Sequence, residues 1–187
     1  MPGSYETLDE TVLSPRLALI ALPGPVIDEV IGGGNEAFLE LTGVGYPAEW
    51  PAEDRHVLGL RKRQISEGDD YRWLLRAVVT RSHPTMVGRV GFHGPPDAHG
   101  VVEIGYRIDS AFRRRGFGFE CAARLIEAAE RLQAVTAVRA SIAPENEPSL
   151  RIAKRLGFRR IGEQMDEIDG LELVFERKAE ATPGRAI

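Results

Sequence analysis

The stretch Arg113-Arg114-Arg115-Gly116-Phe117-Gly118-Phe119 carries the clearest chemical signal in the chain. It falls between a strand-like run, Val101 to Ile108, and a helical pattern, Glu120 to Leu132. A turn at that junction leaves the N–H groups of the first helical turn free, and the helix dipole adds positive potential there. Such termini hold anions, phosphates above all. Gly116 and Gly118 lack a Cβ, so a ligand can approach the main chain closely. Three arginines add fork-shaped donors. The plainer alternative is a solvated basic turn before an ordinary helix. Spacing narrows the ligand. No third glycine stands at the offset of a dinucleotide fingerprint, and no Gly-Lys-Ser/Thr follows as in a nucleoside-triphosphate loop.

The elements that must position this turn are legible from periodicity. Leu17 to Leu22 is an apolar run closed by Pro23-Gly24-Pro25 and reads as a buried strand. Val26 to Ile31 has a brief helical pattern. Asn35 is placed to cap a short helix through Leu41, with Phe38 and Leu41 on one side. Pro51-Ala52-Glu53-Asp54 starts a longer helix, in which Arg61-Lys62-Arg63 reads as a solvated basic face. Trp73, Leu75, Ala77 and Val79 predict a strand with one face buried, and Met86 to Phe92 its hairpin partner. Val102, Ile104, Tyr106 and Ile108 form the apolar face of a third strand, while Glu103, Gly105 and Arg107 point the other way. The helix from Glu120 to Leu132 buries Cys121, Leu125 and Ile126 and sets Glu120–Arg124 and Glu127–Arg131 as i,i+4 pairs. Val138 to Ile142 is a strand reached by a right-handed crossover. A helix from Asn146 to Gly157 follows, then an antiparallel pair, Phe158 to Gly162 and Leu171 to Glu176, around Asp169-Gly170. The order is one strand, helices, three strands, helix, strand, helix, two strands. That is an α/β arrangement on a mixed sheet, with residues 1–178 as one domain and 179–187 as a tail.

Composition bounds the function. With 187 residues and 43% hydrophobic content, one domain with a sizeable core is expected. A net charge of −4 speaks against general nucleic-acid binding. No apolar run approaches the ~20 residues that span a bilayer. Met1-Pro2-Gly3-Ser4-Tyr5 has no basic n-region, so the cytoplasm is the expected compartment. Cys121 is the one cysteine, which excludes an internal disulfide and a cysteine metal cage, and no metal is expected. The arginine cluster is thus a local feature of a mildly acidic protein, suited to a small anionic ligand.

Three motifs together carry a family resemblance. Arg113-x-x-Gly116-x-Gly118 resembles the pyrophosphate loop of the GNAT family of acetyl-CoA-dependent N-acetyltransferases. Glu103 to Ile108 resembles that family's fourth strand. Asn146-x-x-Ser149, continuing to Lys154-Arg155-Leu156-Gly157-Phe158, resembles its next helix and closing Gly-Phe pair. The pattern is closest to the RimJ/RimL-like branch, which acetylates protein N-termini, because Ala153 stands where many members carry a tyrosine that protonates the leaving thiolate. That alanine puts a tyrosine-acid mechanism out of reach. The resemblance implies a mixed, mostly antiparallel sheet of about seven strands with helices on both faces. It implies acetyl transfer from acetyl-CoA to a primary amine by direct attack, the acceptor being a protein N-terminus or a small-molecule amine. A homodimer is a family-level expectation. It implies that coenzyme A is held by Arg113, Arg114, Arg115, Gly116, Phe117, Gly118 and Phe119 at its pyrophosphate. Tyr106 and Ile108 would offer backbone to its pantetheine arm, and Asn146 and Ser149 would contact the same arm. Glu103 stands where several members carry a catalytic glutamate. The sequence leaves open whether it is the base or an exposed, orienting carboxylate. His93 is the reserve candidate. Arg151, Lys154 and Arg155 read as a solvated face. A non-catalytic acyl-CoA-binding module of the same fold is the competing function.

Overall fold

Among the described residues, eight strands and six α-helices form around two apolar clusters, one on each side of a single sheet. The computed structural model describes residues 7–166 and 170–179. The strands are β1 (Thr11–Leu13), β2 (Leu17–Ala21), β3 (Leu75–Thr80), β4 (Met86–Phe92), β5 (Val101–Ile108), β6 (Ala137–Ile142), β7 (Arg159–Asp166) and β8 (Gly170–Lys178). The helices are α1 (Gly24–Ile31), α2 (Glu36–Thr42), α3 (Trp50–Glu53), α4 (Arg55–Ser66), α5 (Phe117–Glu130) and α6 (Glu147–Arg155). The sheet order is β1-β2-β3-β4-β5-β6-β8-β7. Only β5 and β6 run parallel, joined through α5; every other pair is antiparallel. The expected mixed, mostly antiparallel α/β sheet is what the chain forms, with one strand more than anticipated. That strand, β1, is three residues long, too short to display a period.

Alternation along β2, β3 and β5 decides which cluster a residue joins, and a register shift between β3 and β4 at Val78 and Val79 puts Met86 on the face opposite Val90. Leu17, Leu19, Val78, Val90 and Ile104 pack with Cys121, Leu125 and Ile126 of α5. Leu75, Ala77, Val79 and Met86 face the other way, against Val26, Ile27, Phe38 and Leu58 of α1, α2 and α4. The prediction of a single buried face for β3 is therefore corrected: both its faces are covered, and Arg76 within it is fully buried. Central strands between two helical layers lose the polar-out signature. Two further expectations change on the helices. Leu41 is 39% exposed whereas Phe38 is fully buried, so they do not share a face. Asn35 precedes α2 without a side-chain cap bond. The loop that would join β7 to β8 at Asp169, the N-terminal Met1 to Tyr5 and most of the proposed 179–187 tail lie outside the described residues.

The helix start at Pro51 resolves into two pieces hinged at Asp54. Its carboxylate is 3% exposed and accepts from Trp50 Nε1 at 2.6 Å, from Arg89 Nη2 at 3.0 Å and Nε, and from Arg107 Nη1 at 3.2 Å. One carboxylate thus ties the helical layer to β4 and β5. Removing one partner of a buried pair leaves the other charge uncompensated. Asp54→Ala should destabilise the protein by about 3 kcal/mol, read as a lower urea midpoint. Asp54→Asn, which keeps part of the hydrogen bonding, should cost less.

Candidate active site

Where β5 ends, the chain makes one 3-10 turn, Ser110–Phe112, and enters the arginine-rich stretch. Arg114 has φ 61° and Gly116 φ 82°, so the main chain curls before α5. Gly116 occupies the N-cap position, and a glycine accepts that left-handed geometry without strain. The helix begins at Phe117 rather than at Glu120. Its first turn therefore contains Phe117, Gly118 and Phe119. Among the described residues, no acceptor meets the N–H groups from Arg114 to Phe119; the next amide, Glu120, bonds to the Gly116 carbonyl at 3.1 Å. A row of unsatisfied donors at a helix N-terminus is an anion seat.

The side chains of the stretch have diverse duties. Arg113 Nε donates to the Ile108 carbonyl at 3.0 Å, pinning the turn to the strand. Arg115 lies 5.6 Å over the Phe112 ring. Arg16, from the β1–β2 connection, reaches across to donate to the Arg115 carbonyl at 3.0 Å. It also pairs with Glu120 at 2.6 Å and stacks 4.8 Å from the Phe117 ring. Glu120 therefore does not pair with Arg124 as its spacing predicts; Arg124 bonds Glu127 and the Leu13 carbonyl instead. Burial works to raise the Glu120 pKa, but hydrogen bonds from Ser14 and Arg16 outweigh it and hold the carboxyl below its ordinary value.

A groove of about 830 Å³ runs beside this turn. It is lined by Tyr106, Ile108, Arg113, Arg114, Gly116, Phe117, Gly118 and Phe119 from one side and by Asn146 and Ser149 of the α6 start from the other. Of the residues the resemblance assigned to coenzyme A, Arg115 alone does not line it. Arg151 and Arg155, read as a solvated face, do line it, and Arg155 stacks 3.8 Å over Phe119. Asn146 Oδ1 caps α6 by accepting from Ser149 N at 3.2 Å.

The sheet opens beside the groove. β5 pairs with β6 only from Val101 to Glu103, then continues with β4 alone, while β6 continues with β8. His93 N donates to the Glu103 carbonyl and Asp109 N to the Val87 carbonyl. Alternate residues face opposite neighbours in such a ladder. Tyr106 and Ile108 therefore turn their main-chain groups toward the side where β6 has left.

A second cavity, of about 400 Å³, lies within that opening and shares Tyr106, Asn146 and Ser149 with the groove. His93 lines it; Glu103 does not. Instead Glu103 Oε1 stands 3.6 Å from His93 Nδ1. The carboxylate and the reserve histidine, read from the sequence as separate candidates, are neighbours. Gly105 makes room for the ring: a Cβ there would sit 3.0 Å from His93 Nε2. Crowding by protein lowers the His93 pKa, Glu103 opposes that, and the charges of Arg61 and Arg89 reinforce it. The basic triplet is solvated at Lys62 and Arg63 as expected, and is corrected at its first residue. Arg61 is 7% exposed and donates to the His93 carbonyl at 3.0 Å. Cys121 is fully buried, its thiol pushed up to about 12 by burial. No group of three or more metal-ligating side chains occurs among the described residues, nor does a helix long and apolar enough to cross a membrane.

The chain belongs to the GNAT acetyltransferase family: residues 38–159 match its acetyltransferase (GNAT) domain model. It is 30% identical over 151 residues to the uncharacterized N-acetyltransferase YjdG of Bacillus subtilis, covering 76% of this chain and 86% of that one. Among solved structures, RimL, a ribosomal alpha-N-protein acetyltransferase in complex with coenzyme A, superposes with TM-score 0.62 at 16% identity, over 95% of this chain and 100% of that chain. The microcin self-immunity acetyltransferase MccE, in complex with acetyl-CoA and AMP, gives TM-score 0.64 at 14% identity, over 92% and 98%. The protein is accordingly an acetyltransferase by family and fold.

The His93–Glu103 contact makes its own prediction. Because the carboxylate raises the imidazole pKa, Glu103→Gln should lower it further. An NMR titration of the His93 ring protons in wild type and variant checks the direction.

Proposed function

We propose that the protein transfers an acetyl group from acetyl-CoA to a primary amine by direct attack. The observation that carries the reading is the row of unsatisfied amides from Arg114 to Phe119, beside a strand whose partner has turned away. A pyrophosphate satisfies those amides. The open edge at Tyr106 and Ile108 accepts the amide-bearing arm as an added strand would. Asn146 and Ser149 face the same arm from α6. Use of acetyl-CoA is further supported by MccE and RimL, whose structures hold acetyl-CoA and coenzyme A.

The acceptor enters the second cavity, where the two spaces meet at Tyr106, Asn146 and Ser149. The amine nitrogen bonds to the thioester carbonyl carbon and the carbon–sulfur bond breaks. A main-chain N–H of β5 polarises the carbonyl, an oxyanion-type contribution. The amine proton passes to His93 Nε2, and Glu103 at Nδ1 stabilises the imidazolium that results. Glu103 thus acts through the histidine rather than on the amine itself. The leaving sulfur needs a proton donor. Ala153 is buried at 3% exposure and supplies none. Tyr106, with its pKa raised chiefly by burial, stays protonated and lines both cavities. It returns a tyrosine acid to the mechanism from β5 instead of from the helix.

A thiol-release assay with acetyl-CoA and an amine panel tests this. Gly116→Val, which forces a branched side chain into left-handed geometry, should raise the acetyl-CoA KM at least tenfold with little change in kcat. His93→Ala should lower kcat by about a hundredfold. In wild type, activity should fall as the pH drops through the His93 pKa, and Glu103→Gln should move that acid limb to lower pH. Binding of acetyl-CoA without thiol release for any amine would show a non-catalytic acyl-CoA-binding module.

A further inference from the structure

The acceptor cavity contains a buried cation with no ion-pair partner among the described residues. Arg61 of α4 lines it together with Arg89 of β4. Arg89 is neutralised by Asp54. Arg61 forms no ion pair among the described residues; the carboxylate that attracts it, Asp69, acts from behind Gln64. The Nη1 donors of Arg61 are engaged by Gln64 Oε1 at 2.6 Å and the His93 carbonyl at 3.0 Å. Its Nε is closed off from solvent and has no acceptor, and the hydrogen bonds of Arg61 among the described residues all leave from Nη1. Nη2 is therefore the nitrogen left for an incoming carboxylate, as a charge-assisted donor. Buried charges are ordinarily paired, because removing them from water is costly. Burial first, and then the neighbouring Arg89, push the Arg61 pKa down to about 10, against the pull of Asp69. Val57, Leu74 and Leu75 add apolar surface to the same space.

We propose that Arg61 receives the carboxylate of a small acceptor whose amine is presented to His93, so that the substrate class is amino carboxylic acids. The inference rests on the acetyltransferase reading and narrows it. The Arg61–His93 contact makes the two recognition points neighbours, and a cavity of about 400 Å³ suits a small molecule. The reaction is the one described above: nitrogen–carbon bond made, carbon–sulfur bond broken, the amine proton on His93, with an N-acetyl amino acid and coenzyme A as products. Glu145 and Glu172 also line the cavity, so a diamine is the rival acceptor.

The test is a thiol-release assay on the full chain. The acceptors are amino acids from glycine to 6-aminohexanoate, the primary amide of each, putrescine, and short peptides with free N-termini. The expected result is a kcat/KM at least tenfold higher for an acid than for its amide, carried by KM. Arg61→Gln should bring that ratio close to one, and Arg61→Lys should restore part of it. The acid-to-amide ratio in wild type needs no variant, so it decides the matter even where Arg61→Gln folds poorly. Amides or putrescine matching the acids would overturn the proposal, as would turnover confined to peptides. So would no turnover of any amine while calorimetry shows acetyl-CoA binding, which leaves the cofactor site standing. Absence of acetyl-CoA binding would instead overturn the underlying acetyltransferase reading.

Discussion

The architecture turns on one incomplete strand pairing. β5 and β6 are held together over three residues and then part, each retaining a full ladder on its outer side. Buried main-chain groups are almost always satisfied, so a gap in the middle of a sheet must be filled by water or by a ligand that pairs like backbone. That gap joins the groove at the α5 terminus to the cavity beside His93. A closed sheet would have a better ladder and no passage between them. The amides at Arg114 to Phe119 extend the same principle around the corner, where a helix start replaces a strand edge.

Arginines maintain these openings more than they fill them. Arg16 binds the Arg115 carbonyl, Glu120 and the Phe117 ring, which fixes the turn from outside. Arg113 ties the turn to the last residue of β5. Arg89 and Arg107 meet on Asp54, coupling β4 and β5 to the joint between α3 and α4. Ion pairs of this kind contribute little net stability against an apolar alternative, yet removing one partner is costly. Their value here is position. They hold main-chain donors of the turn at fixed places without competing for the ligand, because they engage carbonyls and carboxylates.

The sequence displays the fold and the turn well, and the second cavity poorly, for physical reasons. Alternation in β5 and the glycines at 116 and 118 are local signals, so strand, turn and helix can be read in place. β3 misleads because a strand covered on both faces has no polar side to show. Arg61 misleads because the triplet at 61–63 suggests a charged surface. The helical period says otherwise: position 61 lies three after Leu58 and four before Ile65, on the face that packs inward. The His93–Glu103 contact has no sequence signal of its own, since it depends on how β4 pairs with β5. Gly105 is the one available hint, a glycine inside a strand that marks a close approach, here of an imidazole ring.

In the proposed mechanism, the positive charge around His93 would link acceptor binding to catalysis. Burial first, and then Arg61 and Arg89, lower the His93 pKa, which favours the neutral imidazole that the proposed reaction needs. A base kept neutral by adjacent cations is also a weakened base. If the acceptor brings a carboxylate to Arg61, the field at His93 changes sign in part, and the imidazolium becomes easier to form at the moment it is needed. Glu103, behind Nδ1, supplies the same help continuously. On that proposal, the stabilisation of one transient positive charge would be divided between a fixed carboxylate of the protein and a carboxylate that arrives with the substrate. An acceptor lacking that group would meet the same histidine in a less basic state, so on the proposed reading the site would select its substrate through the chemistry as well as through contact.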